Sequence, residues 1–150
     1  MKAVIQRVRK STVEIDGEVK GEIGQGLNVL VGVGREDTED DANWLAAKIS
    51  ALRIFNDDEG VMNLSVNEIK GDILAISQFT LHAKTKKGTR PSYIRAAKPE
   101  QAVPLYEHFL KVLRHEVVGR VESGVFGADM KVLIDNDGPV TILIDTKNKD

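Results

Sequence analysis

Short apolar runs separated by turn residues dominate the first third of the chain and predict β-structure. Strands are expected at 4–8 and 13–15, where apolar and polar positions alternate. Asp16-Gly17 follows the second run, and Asp-Gly accepts the positive φ angles of a type I′ turn. The chain is therefore expected to open with a hairpin and to continue into a mostly apolar strand at 27–33.

Apolar residues then change to helical spacing. Thr38 is expected to cap a first helix, with Asp41 at its third position, because that pairing satisfies free amides at a helix start. The stripe that should face the sheet runs toward Phe55 and consists of Ala42, Leu45, Ile49 and Leu52. A second helix is expected from Pro99 to Glu116, although Pro104 is an awkward interior residue unless the helix proper begins there.

The remaining apolar runs complete the expected sheet. A strand at 73–76 ends at Ser77, and strands at 130–135 and 140–145 flank Asn136-Asp137-Gly138-Pro139, which we interpret as the tip of a hairpin. The prediction is one α/β domain over residues 1–150, with a mixed, mostly antiparallel sheet covered by two helices. A chain of 150 residues is long enough to bury a core without disulfides.

Composition narrows the function classes. There is no cysteine, which excludes disulfides, thiolate zinc sites and a cysteine nucleophile. The 21 Lys and Arg nearly balance the 23 Asp and Glu, so overall charge gives no indication of a nucleic-acid partner. Neither a signal peptide nor a membrane span is present in the printed sequence, and we expect a cytoplasmic protein that does not interact with membranes.

Two common cofactor patterns fail on spacing. The glycines at 21–26 and 32–34 do not complete G-x-G-x-x-G, and the acids after Gly34 would repel a pyrophosphate, so turn glycines are the better interpretation. His108 and His115 are seven residues apart on the second helix, or about 10 Å along its axis, too far to share one ion. We therefore expect neither metal nor cofactor. A Thr80-His82 pair on a continuing strand is conceivable, but no third group is present to orient it.

Local charge is less even than the total. Between Ile73 and Pro99 there are six basic residues and no acid: Lys84, Lys86, Lys87, Arg90, Arg95 and Lys98. Such a run often only keeps a surface hydrated. Its position directly after the Ser77 segment makes Lys84, Lys86, Lys87 and Arg90 candidate phosphate contacts.

The segment Ser77-Gln78-Phe79-Thr80-Leu81 places two hydroxyls and an amide at the end of an apolar strand. Such residues often only cap backbone groups, and spacing alone favours that interpretation. Phe79 and Phe126 are likewise typical of a core, since only 5% of the chain is aromatic.

This segment, together with residues 136–141, resembles the two signature motifs of the D-aminoacyl-tRNA deacylases, also called D-tyrosyl-tRNA deacylases. Residues 1–8, 88–92 and 124–130 are also similar to that family, so the resemblance covers essentially the whole chain. It implies a homodimeric enzyme that hydrolyses the ester between a D-amino acid and the 3′ end of tRNA. It also implies removal of mischarged glycine, without a metal or cofactor.

The resemblance further implies a role for each site residue. The Gly138-Pro139 bond should be cis, whereas the residues alone favour trans. Its carbonyl oxygens should enter the partner subunit's pocket and reject L-amino acids, while Phe126 and Met130 help to bind the substrate. Ser77, Gln78, Phe79 and Thr80 form the implied catalytic segment, in which backbone N–H groups near Phe79 and Thr80 stabilise the oxyanion and the ribose 2′-hydroxyl assists water.

Two other functions remain open at this point. A noncatalytic RNA-binding module would use the basic residues between Lys84 and Lys98 without turning over substrate. A small-molecule D-amino-acid esterase or amidase would act equally well on simple esters that lack tRNA. Whether Thr80 acts covalently or only supports the site is also open.

Overall fold

The computed structural model describes residues 1–150 and contains a six-stranded mixed sheet, with two helices on one face, and a separate two-stranded sheet. The strands are β1 (Lys2–Ile15), β2 (Glu18–Ile23), β3 (Gly26–Gly32), β4 (Phe55–Asn56), β5 (Met62–Leu64), β6 (Asp72–Ser77), β7 (Val121–Ser123) and β8 (Lys131–Asp145). The helices are α1 (Glu39–Ala51) and α2 (Pro99–Glu116), with a 3₁₀ helix at Phe79–His82. Neither α1 nor α2 is long and apolar enough to cross a membrane.

Strand β1 organises the sheet because it pairs with three other strands, each antiparallel. Its first half lies beside β3, its second half lies beside β2, and β8 runs along its length. Strands β3, β6 and β7 are parallel neighbours. The predicted mixed, mostly antiparallel sheet with two helices is confirmed, and β4 and β5 form a separate two-stranded sheet that the pattern did not predict.

Alternation along the strands explains where the core lies. Residues such as Ile5, Val29 and Ile73 are fully buried against the helices in one large cluster. Leu74 and Ile76 project to the other face, where β2 folds over them and a smaller cluster forms with Val8, Val13 and Ile23. The central strands are therefore buried on both faces.

The helix signals were accurate at the starts. Thr38 caps α1, and its amide donates to Asp41 Oδ2 at 2.9 Å, as the capping pattern predicts. The stripe does not continue to Phe55, because Leu52 leaves the helix at φ −60° and ψ 125°. Helix α2 spans the predicted residues and carries Pro104 in its interior.

The predicted hairpin at residues 136–139 is wrong. Both flanking runs belong to the single strand β8, since Leu133 lies opposite Thr12 and Thr141 lies opposite Gln6. The register between them shifts at Gly138-Pro139. Proline has no N–H to donate to a neighbouring strand, so it is tolerated at irregular positions of edge strands as well as in turns. The sequence that we interpreted as a turn therefore also fits an irregular position in an edge strand.

Candidate active site

The carboxyl ends of the three parallel strands meet at one edge of the sheet. Strand β3 ends there before Gly34, β6 ends at Ser77, and β7 ends at Ser123. The antiparallel neighbours bring the start of β1 and the end of β8 to the same edge, because Lys2 lies opposite both Gly32 and Asp145. Backbone groups and loops at such an edge are free to bind ligands.

The predicted catalytic segment begins at this edge. Ser77 is the last residue of β6 and lies beside Val31, whose carbonyl accepts a 2.8 Å hydrogen bond from the Gln78 amide. Gln78 has φ −146° and ψ 83°, which turns the chain out of the strand and into the 3₁₀ helix. The central sheet therefore fixes where the segment starts.

The turn leaves two amides near the start of the 3₁₀ helix. Within that helix Leu81 donates to the Gln78 carbonyl, and the capping Ala83 donates to the Thr80 carbonyl. The N–H groups of Phe79 and Thr80 precede the first of these donors, so the i to i+3 pattern gives them no acceptor. Adjacent N–H groups of this kind can stabilise a developing negative charge.

Thr80 is held by its neighbour rather than by a base. The Gln78 side-chain amide donates to Thr80 Oγ1. Residues 79–82 form a 3₁₀ helix instead of a continuing strand, and the structure contains no hydrogen bond between Thr80 and His82. The Thr80-His82 pairing is therefore wrong.

His82 occupies a tight space instead. It is buried, its Nε2 has no hydrogen-bond partner, and its ring lies against the glycines at the end of β3. A Cβ placed on Gly34 would lie 2.9 Å from His82 Cε1. The glycines that did not fit a dinucleotide motif therefore make room for this ring.

Phe79 is not a core residue. Its side chain is 54% exposed and packs edge-on against Tyr93, with ring centroids 5.1 Å apart. The expectation that Phe79 would be needed for the core is therefore wrong. The pair places an exposed aromatic surface directly on the predicted catalytic segment.

Phe126 and Met130 lie beside the strand that delivers Ser77. The Gly124 amide donates to the Ala75 carbonyl at 3.4 Å, which aligns the loop after β7 with β6. Met130 packs against the smaller core cluster, and Phe126 packs against Tyr106 with centroids 5.8 Å apart. Both side chains are partly buried. They flank the strand end without forming part of the segment itself.

Gly138 and Pro139 lie elsewhere in the same chain. Their peptide bond is cis, and Gly138 has φ +133°, which favours glycine. Gly138 lies across from Arg7 of β1. Ala3 of β1 is paired with Val31 of β3, which is paired with Ser77 of β6, and Arg7 is four residues further along β1 than Ala3. The separation is about 13 Å along the strands and about 14 Å across three strand spacings. One chain therefore does not bring the two motifs together.

Arg7 is a functional candidate that the pattern analysis missed. It is only 7% exposed, its Nη1 donates to the Ile54 carbonyl at 2.8 Å, and its Nε donates to the Asp137 carbonyl at 3.0 Å. The Asp137 carboxylate lies 3.4 Å from the same Nε. The sequence did contain a signal: Ala3, Ile5 and Arg7 occupy alternate positions of β1, so Arg7 falls on the face that its apolar neighbours bury.

The predicted basic residues lie on the loop after the 3₁₀ helix. Lys84, Lys86, Lys87 and Arg90 are all exposed, and none forms an ion pair in the structure. A backbone bridge between Lys84 and Ser92 closes the loop, with hydrogen bonds of 2.8 and 3.0 Å. No group of three or more potential metal ligands converges anywhere in the structure.

Opposite charges are neutralised at the base of the same edge. The amino group of Met1 lies 2.6 Å from Asp37 and donates to Thr146, while Lys147 Nζ lies 2.9 Å from Asp41. Burial alone would raise the pKa of the Asp41 carboxyl. Hydrogen bonds from Thr146, the Thr38 amide and Lys147 outweigh that effect and hold the pKa below its ordinary value.

Comparison with known proteins agrees with this architecture. The sequence profile of the family described as D-Tyr-tRNA(Tyr) deacylase matches residues 4–145. A D-aminoacyl-tRNA deacylase of Akkermansia muciniphila is 57% identical, and one of Bacteroides fragilis strain YCH46 is 58% identical, each over 100% of both chains.

Solved structures give the same result for the fold. A structure described as c-Myc DNA Unwinding Element Binding Protein superposes with a TM-score of 0.92 at 41% identity, covering 97% of this chain and 98% of the other. A probable eukaryotic D-amino acid tRNA deacylase superposes with a TM-score of 0.80 at 18% identity, covering 95% and 97%, which supports the fold alone. The resemblance noted in the sequence is confirmed, and the chain belongs to the D-aminoacyl-tRNA deacylase family of hydrolases.

Proposed function

We propose that this protein hydrolyses the ester bond of D-aminoacyl-tRNA and releases a free D-amino acid and tRNA. The observation that carries the proposal is the Ser77–Thr80 segment, which leaves the sheet at the carboxyl edge with two amides near the start of its 3₁₀ helix. The 57% identity to a D-aminoacyl-tRNA deacylase over the full chain supports the same substrate.

The reaction needs little from side chains because an aminoacyl ester is already reactive. Water attacks the ester carbonyl, and the N–H groups of Phe79 and Thr80 stabilise the negative charge on its oxygen. The bond to the ribose oxygen then breaks, and that oxygen takes up a proton while the neighbouring ribose hydroxyl assists the water. One oxyanion donor of this kind is worth about 10²–10³ in rate.

Thr80 supports this site rather than attacking the ester. A threonine nucleophile needs an adjacent base. Thr80 Oγ1 instead accepts a hydrogen bond from the side-chain amide of Gln78, and it donates to no histidine or carboxylate. Ser77 and Gln78 fix the turn, and Phe79 provides the exposed wall beside the reacting carbonyl. Catalysis therefore rests on backbone placement.

Selection against L-amino acids comes from main-chain atoms at Gly138 and Pro139. A backbone wall contacts only the groups on the α-carbon, so it accepts D-amino acids with different side chains and rejects the L-configuration by collision. Glycine has no side chain to collide, so glycyl-tRNA is also hydrolysed. Phe126 and Met130, which flank the end of β6, would complete the pocket from the loop after β7.

This wall comes from a second copy of the chain. The register separates Gly138 from Ser77 by about 13 Å along the strands and about 14 Å across them, too far for one chain to close the pocket. Strand β8 pairs only with β1 and exposes the side chains of Leu133 and Leu143, so its outer backbone edge and these two apolar side chains are available to another protomer.

Matched D- and L-tyrosyl-tRNA test the activity directly. Purified protein, at an amount well below that of the substrate, should release tyrosine from the D-form and leave the L-form intact. A nucleic-acid-binding protein without catalysis would bind tRNA and release nothing. Equal rates on both enantiomers would contradict chiral selection.

Complementation tests the shared site. A protein with a Gly138 substitution is mixed with one altered in the Ser77 segment, and heterodimers are isolated. A cross-subunit site predicts that each heterodimer regains one intact site. Verified heterodimers without activity would show that each chain builds its own site.

A further inference from the structure

We propose that a cleft beside the catalytic segment, which we call the Arg35 cleft, holds the phosphodiester backbone of the substrate's single-stranded 3′ end. Its phosphate-binding residues are Arg35 and Arg95, with Lys84 at its margin. The cleft has a volume of about 420 Å³ and lies at the sheet edge that carries Ser77. The inference rests on the proposed function and deepens it.

Charge pairing leaves this cleft cationic. Its buried acid Asp37 is paired with the Met1 amino group, and Asp145 lies 3.9 Å from Lys2 Nζ. Lys147 also lines the cleft, but it is paired with Asp41 at 2.9 Å and adds no unpaired charge. Arg35, Lys84 and Arg95 have no acidic partner in the structure, and Glu36 is the only one of the three lining acids that is not itself paired with a cation.

The backbone holds the two arginines side by side. The Arg35 amide donates to the Arg95 carbonyl at 3.1 Å, next to a bridge between Gly34 and Ala96. The Gln101 side chain fixes the Arg35 carbonyl at 2.9 Å. Neither guanidinium makes a hydrogen bond within the protein, and both residues are exposed. Their planar donor groups are therefore free to bind phosphate oxygens in pairs.

An aromatic surface connects this cleft to the catalytic segment. Tyr93 packs against Phe79 and precedes Arg95 by two residues. Ile94, which separates Tyr93 from Arg95 in the sequence, is 57% exposed. Exposed aromatic and basic residues together are typical of proteins that bind single-stranded nucleic acids, since bases stack on rings while cations contact phosphates. A single-stranded RNA end whose last nucleotide lies at Phe79 would run over Tyr93 to reach Arg35.

The polar floor of the cleft provides a second indication of a ligand. His82 lines it and is 8% exposed, yet its buried Nε2 has no hydrogen-bond partner in the protein. A buried polar ring without a partner carries a cost that a bound polar group can offset.

The test removes both guanidinium charges and compares two substrates. In the double variant Arg35→Gln and Arg95→Gln, kcat/KM is measured on D-tyrosyl-tRNA and on the D-tyrosyl ester of adenosine, which has no phosphate. Losing two single-strand phosphate contacts reduces the salt slope by about 1.4, so the advantage of the unaltered protein on tRNA shrinks about sevenfold between 50 and 200 mM salt. Hydrolysis of the adenosine ester should be unchanged.

A second double variant, Lys111→Gln and Arg114→Gln, removes the same charge elsewhere. Both residues are exposed on α2, about 15–20 Å along the helix from Gln101. This second double variant should keep the salt dependence of kcat/KM on D-tyrosyl-tRNA that the unaltered protein shows. Equal slopes for the two double variants, or an equal loss on both substrates, would overturn the phosphate assignment. If the unaltered protein hydrolysed neither ester, the proposed function itself would fail.

Discussion

The Ser77 segment and the Gly138 segment illustrate two ways of placing a functional backbone. The first leaves a central strand that is paired on both sides, so its geometry is determined by the core of its own chain. The second lies in the outer strand β8, which has only β1 as a neighbour. One region is completed by its own fold, whereas the other is presented outward.

The contacts that hold the two segments differ accordingly. Gln78 is anchored by a backbone hydrogen bond of 2.8 Å to Val31, which any side chain would permit. Gly138 depends on a single buried side chain, because Arg7 binds the Asp137 carbonyl from inside the sheet. A segment exposed in an outer strand therefore needs specific residues where a strand end does not.

The substitution Gly138→Ala should have the largest effect. An added Cβ would lie 2.8 Å from the Val140 amide nitrogen and 3.2 Å from Arg7 Nη2, at a φ of +133° that L-residues rarely adopt. We expect hydrolysis of D-tyrosyl-tRNA to fall by roughly 100-fold or more, about the effect of losing an oxyanion donor. Initial rates at fixed enzyme measure it.

Gly24→Ala is the matched control, since nothing lies within 4 Å of its added Cβ. It should keep full activity. Full activity in the Gly138 variant as well would remove this segment from the site.

The substitution Arg7→Gln should have the next largest effect. It breaks the bonds to the Ile54 and Asp137 carbonyls, and hydrogen bonds to charged groups are each worth about 1.5–3 kcal/mol. We expect a lower free energy of unfolding, measured in urea, and reduced discrimination between D- and L-tyrosyl-tRNA.

Arg9→Gln is its control, because Arg9 is 73% exposed and pairs only with Asp135 on the surface. Such pairs contribute about 0–1 kcal/mol. Equal destabilisation by the two substitutions would mean that Arg7 does not hold the outer segment.

The same contrast explains what could be predicted from the sequence. Alternation and capping placed the Ser77 strand, the start of α1 and both ends of α2, because these depend on local pattern. The hairpin failed because a turn signal and an irregular edge strand use the same residues, and only pairing with β1 distinguishes them. Arg7 was missed because its partners, Ile54 and Asp137, are distant in sequence.

Within the Ser77 segment, Thr80→Ala should reduce activity without abolishing it. The change removes the hydroxyl that accepts the Gln78 hydrogen bond but leaves the backbone amides in place. We expect a loss of about tenfold, which is less than the factor of about 10²–10³ that removal of an oxyanion donor costs. Single-turnover hydrolysis measures the rate, and acid quenching followed by mass spectrometry tests for an acyl-enzyme. A covalent adduct on Thr80 in the unaltered protein would contradict the water mechanism.

The smallest effect is expected at the base of the sheet edge that carries Ser77, where Asp41→Asn should change the pH dependence of stability. Hydrogen bonds from Thr146, Thr38 and Lys147 hold the pKa of this carboxyl below its ordinary value of 3.8, against the opposing effect of burial. The stabilisation is therefore complete above that value and is lost as pH falls through the lower pKa of the folded protein. Urea unfolding between pH 2 and 7 should show a shallower acid decline for Asp41→Asn than for the unaltered chain. Asp40→Asn, an exposed neighbour in the same helical turn, should keep the original decline. If both variants declined like the unaltered protein, the Asp41 cluster would not contribute to the acid sensitivity of this edge.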